Sequence, residues 1–139
     1  MRGLVVSLKS SAAFWVGAIS VGGGSVFFWL CVGALSACVA VAAGAFGAHG
    51  LRARVSPEML AVFETGARYQ MYHALALIAV ALIALRGSSR GVHAAGLAFV
   101  IGTLLFSGSL YVLALTGVRW FGAITPLGGV AFLVGWLCL

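Results

Sequence analysis

A few polar and ionisable residues interrupt a chain of 139 residues that is 63% hydrophobic and only 7% charged. Inside apolar segments such residues usually face other helices rather than lipid, and the ionisable ones are candidates for function by default. The residues with chemistry to offer form what we call the candidate polar cluster: His49, Glu64, Arg68, Tyr69, Gln70, His73, Ser107, Ser109, Tyr111 and Thr125.

The two histidines of this cluster, His49 and His73, have the widest chemistry. Histidine is an axial ligand of haem, and its charge changes near neutral pH, so His73 with Glu64 suits proton handling. Two histidines without a third ligand motif do not define a metal centre, and no metal or cofactor is predicted. The same residue types also hydrogen-bond between membrane helices, so a structural role is the alternative to a binding site.

The sequence carries no motif of a hydrolytic or nucleotide-dependent enzyme: it has no GxSxG, HExxH, P-loop or dinucleotide fingerprint. It has no Asp, which excludes a Ser-His-Asp arrangement. Glu58 and Glu64 are its two carboxylate side chains, and their spacing on one short helix gives no acid–base pair. No catalytic residue is predicted, and we expect a protein that is not an enzyme.

The elements that must position the cluster are membrane spans. A span needs about 20 apolar residues, and segments of this kind cover residues 26–47, 69–85, 94–115 and 121–139. So few charges cannot cover a water-facing surface. The fold class is therefore all-α, an integral membrane four-helix bundle. A short amphipathic helix begins at Ser56-Pro57 between spans one and two, and it either lies at the membrane surface or runs straight into span two.

We assign residues 26–139 to a four-span transmembrane domain and residues 1–25 to an N-terminal extension, signal-like or interfacial. Within the extension the apolar stretch is too short to span, and Gly22-Gly23-Gly24 is expected to break any helix. The segment that ends in Cys38 resembles a lipoprotein cleavage box, but the apolar run continues beyond it. A small buried hydrophobe is the favoured interpretation of each cysteine.

Small residues mark helix-packing faces. Gly33, Ala37 and Gly44 recur on one face of span one, and Gly128 and Gly129 interrupt span four. In lipid, small residues allow close approach of helix backbones. This pattern favours contact with other membrane subunits or with a second copy of the chain in a homo-oligomer.

Alternating spans place the end of span one, the start of span two, the end of span three and the start of span four on one membrane side. That side collects the candidate polar cluster, whereas the other holds Arg86, Arg90 and His93. We expect either structural hydrogen bonds or a half-pocket open to one leaflet. Such a pocket would serve a lipid, quinone, haem or metal ligand, or proton transfer.

The net charge of +6 does not indicate nucleic acid, because the basic residues stand singly at the ends of apolar segments. The expected partner is the lipid bilayer. Basic residues divide evenly between the two membrane sides, so the charge count alone does not decide the orientation.

Four sequence elements resemble a family of small bacterial membrane proteins typified by YgdD and YwdK, and they are similar to transmembrane protein 256. The elements are GAFGAHG at 44–50, FETGARYQMYHAL at 63–75, LFSGSLY at 105–111 and TPLGG at 125–129. The resemblance covers about residues 26–139. It implies a four-helix membrane protein of unknown function and supplies no catalytic residue, substrate or cofactor.

The resemblance also bears on location. Relatives with basic C-terminal tails imply that both termini face the cytoplasm of a multi-pass protein in the cell (inner) membrane. The sequence thus predicts an integral membrane protein that is structural or accessory to a membrane assembly. A small-molecule or proton-handling site on the candidate polar cluster is the alternative.

Overall fold

The structure, a computed structural model, describes residues 23–87 and 89–139. Four helices make up the fold, and all four are long and apolar enough to cross a membrane. They are α1 (Arg2–Phe46), which continues through a π-helical turn (Gly47–Leu51), α2 (Pro57–Ala84), α3 (Arg90–Thr116), and α4 (Thr125–Cys138), which follows a 3-10 turn (Arg119–Ala123). The prediction of an all-α four-span membrane fold is confirmed.

The glycine run does not break α1. Gly23 and Gly24 both lie within the helix, so the expected interruption is wrong at these described positions. Glycine costs only about 1 kcal/mol relative to alanine inside a helix. In an apolar environment that cost is smaller than the cost of leaving backbone groups unpaired. The assignment of residues 1–22 as a separate extension lies outside the described residues.

The amphipathic segment between the first two spans is the first part of α2. Ser56 caps the helix by accepting a hydrogen bond from the Met59 amide at 3.3 Å, and Pro57 occupies the first turn. From there α2 continues without interruption to Ala84. Of the two alternatives, the segment therefore runs straight into span two, and the described spans are longer than the apolar runs alone.

Local signals also set the ends of α3. The Ser89 hydroxyl accepts from the Val92 amide at 3.2 Å at the start of the helix. At its end Gly117 adopts φ +71°, the left-handed conformation that a glycine C-cap supplies without strain. α3 therefore ends at Thr116, one residue beyond the predicted end of span three.

Helices that follow each other in sequence pack side by side: α1 on α2, α2 on α3 and α3 on α4. In the most apolar window of each span, half of the residues of α2 are buried, compared with 17% in α1 and in α4. The central pair is therefore α2 and α3. One core unites all four helices through Trp29, Leu77, Phe99 and Phe132.

The face of α1 that packs inward includes Gly33 of the predicted stripe, and Ala37 and Gly44 are half-buried beside it. Its buried or half-buried residues repeat at intervals of three and four, which is the period of one helix face. Gly33 belongs both to this face and to the stripe, whereas a Cβ added at Gly44 would meet no neighbouring atom within 4 Å. The inward residues are Trp29, Gly33, Ser36, Ala40, Ala43, Gly47 and Leu51.

Candidate functional site

A buried glutamine joins three helices near the middle of the molecule. The Gln70 amide nitrogen on α2 donates to the Ser36 carbonyl oxygen on α1 at 3.2 Å. The Gln70 amide oxygen accepts from the Tyr111 hydroxyl on α3 at 2.8 Å. Gln70 is 7% exposed, so both of these bonds form away from solvent. Hydrogen bonds of this kind hold membrane helices together.

A second hydrogen-bonded pair joins α3 to α4. The Ser109 hydroxyl donates to the Phe106 carbonyl oxygen at 2.9 Å, and it lies 2.8 Å from the Thr125 hydroxyl oxygen. Because the single Ser109 proton is directed to Phe106, Thr125 is the donor of the second bond. The polar groups of this pair are thus satisfied within the chain.

His73 is enclosed by aromatic rings rather than by polar groups. Its Nδ1 lies 2.8 Å from the Tyr69 carbonyl oxygen one turn earlier, so the protonated Nδ1 donates to that oxygen. The imidazole stacks on Phe132 with ring centroids 3.4 Å apart, and Phe99 lies 5.6 Å away. The histidine is 5% exposed. Its role here is that of a packed ring between α2, α3 and α4.

The remaining ionisable residues of the candidate polar cluster lie on the surface. His49 is exposed in the turn after α1, whereas His73 is buried, so the two histidines occupy different environments. Glu64 and Arg68 are exposed and line an open groove of about 390 Å³ between α1 and α2, beside Gly44. Tyr69 is 39% exposed. Within residues 23–87 and 89–139, no three His, Cys, Asp or Glu side chains are close enough to hold a metal ion.

The position of His73 along its helix depends on where α2 begins. The sequence placed it one turn inside a span that starts at Tyr69, but α2 starts at Pro57. At 1.5 Å per residue His73 lies about 24 Å along the helix, just beyond its midpoint. The placement of the candidate polar cluster in one leaflet stays a prediction.

The helix-packing glycines divide into two kinds. A Cβ on Gly33 would lie 3.0 Å from the Ala74 carbonyl oxygen of α2, and one on Gly128 would collide with the Phe106 backbone of α3. Gly44 and Gly129 have no such neighbour among residues 23–87 and 89–139. For these two residues, and for the half-buried Ala37, packing on another helix stays a prediction.

Three buried hydroxyls have no hydrogen-bond partner within the described part of the chain: those of Ser36, Thr103 and Ser107. Ser107 is fully buried, and its carbonyl oxygen would lie 3.3 Å from a Cβ on Gly66, where α2 and α3 pack tightly. Ser36 and Thr103 instead line a groove of about 230 Å³ between α1, α2 and α3, together with Gln70.

The sequence reasoning missed Ser36 and Thr103 because each stands alone in an apolar run. The signal that would have found them depends on the start of α2 at Pro57, which the predicted span of 69–85 did not include. Thr103 is the midpoint of α3, and Ser36 and Gln70 lie within one residue of the midpoints of their own spans. Polar residues at the same depth of three adjacent spans are placed to meet.

Comparison with known proteins identifies the family. A family described as "Protein of unknown function (DUF423)" matches residues 43–129, well over half of the chain. The chain belongs to the DUF423 family. Its relatives include the UPF0382 membrane protein YwdK of Bacillus subtilis, 48% identical over 112 residues, which are 80% of this chain and 91% of YwdK.

A second DUF423-type relative is a UPF0382 membrane protein of Staphylococcus saprophyticus, 50% identical over 111 residues, which cover 80% of this chain and 92% of the relative. No solved structure matches the chain. The resemblance predicted from the sequence is confirmed, and the relatives' description as membrane proteins agrees with the four spans. The protein is an integral membrane protein of this family.

Proposed function

We propose that this DUF423 protein is a non-enzymatic subunit, accessory to a larger assembly in the cytoplasmic membrane. The outward face of α1 is the observation that carries the proposal. On the side of α1 opposite its buried residues, Ala34, Cys38, Ala42 and Ala45 form an exposed run of small side chains, with the exposed Phe27 two turns before it and the exposed Leu35 and Val41 at its edges. The four small residues follow each other at intervals of three and four, and so form one continuous face.

The described exposed positions of α3 and α4 carry no such run of small residues. On α4, Leu127, Leu133 and Leu137 are between 62% and 88% exposed. On α3, Leu97 and Leu104 are 56% and 69% exposed. Large aliphatic side chains suit contact with lipid chains, whereas small residues are typical of surfaces on which another helix packs. The occupant that fits the α1 face is a transmembrane helix of another subunit.

The chain's own polar groups support an accessory role. Gln70, Tyr111, Ser109 and Thr125 are engaged in hydrogen bonds that join the helices. His73 is packed among aromatic rings. Residues engaged in this way hold the four helices in place and leave the α1 face as the surface available to a partner.

A pair of substitutions tests this proposal. Ala34→Leu with Ala45→Leu enlarges the outward α1 face, and we expect the protein to migrate as the free chain when membranes are solubilised in mild detergent. Ala94→Leu is the control, because Ala94 is exposed on α3, away from that face. Native mass spectrometry reports the masses of the complexes. An assembly that keeps its mass in the α1 variant contradicts the proposal.

Thiol crosslinking identifies the partner. Cys31 and Cys38 are free and exposed on α1. If a second copy of the chain covers the face, a short bifunctional thiol reagent yields a covalent dimer that is lost in a variant with both cysteines replaced by serine. A different subunit gives its own mass increment. Each result names the occupant of the face.

The orientation that we propose places both chain termini on the cytoplasmic side. Four spans return the chain to the side on which it began, so Arg86 and Arg90 lie on the cytoplasmic side together with the termini. A fluorescent protein fused after Leu139 should fluoresce, whereas alkaline phosphatase at the same position should be inactive. An active phosphatase fusion would contradict this orientation.

A further inference from the structure

The groove between α1, α2 and α3 has the composition of a ligand site in an otherwise apolar region. Its wall consists mostly of aliphatic side chains, and its polar groups come from Ser36, Gln70 and Thr103. We call it the midplane groove. Ligand sites typically combine an apolar lining with a few convergent polar groups. This composition separates the midplane groove from the hydrogen-bonded pairs described above.

The unpaired hydroxyls are the unusual feature. Other hydroxyls of this chain bond to the backbone of their own helix: Thr65 to the Ala61 carbonyl oxygen at 2.8 Å, and Thr116 to the Val112 carbonyl oxygen at 2.7 Å. Ser36 and Thr103 form no such bond, although their oxygens are buried. A buried hydroxyl without a partner is costly, and more so where no water competes.

The donors and acceptors already in use in the groove decide which ligand group could pair with the Ser36 and Thr103 hydroxyls. The carbonyl oxygen of the Gln70 amide is occupied by Tyr111, and its NH₂ group already donates to the Ser36 carbonyl oxygen. The donors that remain in the midplane groove are the two hydroxyls and the second N–H of the Gln70 amide. A carbonyl oxygen has two lone pairs and accepts two hydrogen bonds, so one carbonyl can satisfy both hydroxyls.

The depth of the midplane groove in the bilayer restricts which molecules can bring a carbonyl oxygen to it. Thr103 is at the midpoint of α3, and Ser36 is within one residue of the midpoint of its span. The hydrocarbon core of a bilayer is about 30 Å thick, and the ester carbonyls of phospholipids lie at its edges. With the centres of these two helices at the centre of the bilayer, a carbonyl that reaches the midplane groove belongs to a molecule that dissolves in the bilayer interior.

We infer that the midplane groove binds a lipid-soluble carbonyl compound, with its carbonyl oxygen between Ser36 and Thr103 and its apolar tail in the bilayer. Both residues line the groove, and a rotation about χ1 is the movement by which each hydroxyl would reach this oxygen. The cavity of about 230 Å³ is below the usual range for a whole ligand, so it holds the carbonyl-bearing head and leaves the tail outside. A ring with two carbonyls and a long-chain ketone share this chemistry.

The inference is independent of the accessory role, because the midplane groove lies on the inward side of α1 and the proposed partner surface lies on its outward side. If the midplane groove binds no carbonyl compound, the proposed partner surface on α1 is not contradicted. If Ala34→Leu leaves the assembly intact, the proposed ligand site in the groove is not contradicted. The two proposals therefore fail in different experiments.

Binding of three probes to the full-length chain in mild detergent tests the inference. They are a decyl-tailed 1,4-benzoquinone, a long-chain methyl ketone and decylbenzene, which has a comparable tail but no carbonyl. We expect saturable binding of one quinone per chain, measured by titration and by native mass spectrometry, and no saturable binding of decylbenzene. Equal affinity for the ketone assigns the site to a single carbonyl, whereas weaker binding of the ketone assigns it to the two-carbonyl ring.

Two variants locate the binding. Ser36→Ala with Thr103→Val removes both hydroxyls at nearly constant volume, and the loss of two hydrogen bonds should weaken quinone binding about tenfold or more. Thr65→Val is the matched control, because the Thr65 hydroxyl is already bonded to its own helix. Unfolding without probe shows whether the double variant folds as well as the parent chain.

Three results would overturn the inference. The first is that the double variant binds the quinone as tightly as the parent chain does. The second is that decylbenzene binds as tightly as the quinone, since the groove would then be selective for apolar surface alone. The third is that neither carbonyl probe binds saturably.

Discussion

The two sides of the central α2–α3 pair are built differently. Where α4 packs on α3, each glycine receives an aromatic residue of the opposite helix: Gly102 faces the Phe132 ring, and Gly135 faces the Phe99 ring. Gly128 faces the Phe106 backbone in the same way. We call this contact the α3–α4 seam. On the α1 side, Gly96 also faces an aromatic ring, that of Trp29, and Gly33 packs on α2, but the α2–α3 pair leaves the midplane groove open as well.

The polar groups follow the same division. At the α3–α4 seam the hydroxyls of Ser109 and Thr125 bond to each other at 2.8 Å. In the midplane groove the hydroxyls of Ser36 and Thr103 have no partner. The difference teaches that buried polar residues in one small bundle serve two purposes. Paired ones fix the helices, and unpaired ones at a cavity are available to a ligand.

The largest effect is expected for a variant that prevents α4 from packing on α3 at the α3–α4 seam. Gly128→Leu places a side chain where the Phe106 backbone already lies, so α4 must move away from α3. Overpacking costs about 1–3 kcal/mol when side chains can adjust. A backbone collision costs more, and we expect the variant to be absent from membranes. Abundance after membrane fractionation measures this.

The matched control for that variant is Gly129→Leu, one residue further along α4, where a Cβ meets no neighbour. It should accumulate at nearly the parental level. Equal loss of both variants would show that α4 tolerates no added bulk, and it would refute the specific contact with Phe106.

The next largest effect is expected for a variant that leaves a cavity at the α3–α4 seam instead of adding bulk to it. Phe132→Ala removes a ring that is 4% exposed and stacks on His73, so a cavity remains at the junction of three helices. The expected cost is about 3–5 kcal/mol. Leu133→Ala is the control, since Leu133 is 65% exposed. Reversible unfolding in mild detergent gives both values, and a similar loss in the two variants would contradict the packing described here.

A smaller effect tests the hydrogen bond between α2 and α3. Tyr111→Phe deletes the hydroxyl that donates to Gln70 and retains the ring packed on Phe63. We expect a loss of about 0.5–1.5 kcal/mol in the free energy of unfolding, the range for single hydrogen bonds. If Gln70→Leu added to Tyr111→Phe costs as much as it does alone, the two residues are not coupled and the bond contributes nothing.

Much of this division could be read from the sequence in advance, and some of it could not. Span number, the Ser56 cap and the Gly117 stop follow from local chemistry, so they were predictable. That His49 and His73 occupy different environments depends on where α2 begins, and Ser56-Pro57 alone did not decide whether the amphipathic helix joins span two.

The unpaired hydroxyls were harder to predict for a physical reason. Whether Ser36 bonds to its own helix or to nothing is decided by a side-chain rotamer and by neighbours on two other helices. No local pattern records that choice. The reciprocal glycine–phenylalanine contacts depend in the same way on the register between α3 and α4, which a single sequence does not specify.

The most direct test of the division compares two hydroxyl deletions in the free energy of unfolding of the ligand-free chain. Ser109→Ala removes a paired hydroxyl from the seam, and we predict a loss of about 0.5–1.5 kcal/mol. Thr103→Val removes an unpaired hydroxyl from the midplane groove with little change in volume, and we predict an unchanged or higher stability. Equal destabilisation by both variants would contradict the account, because the Thr103 hydroxyl would then be paired like that of Ser109.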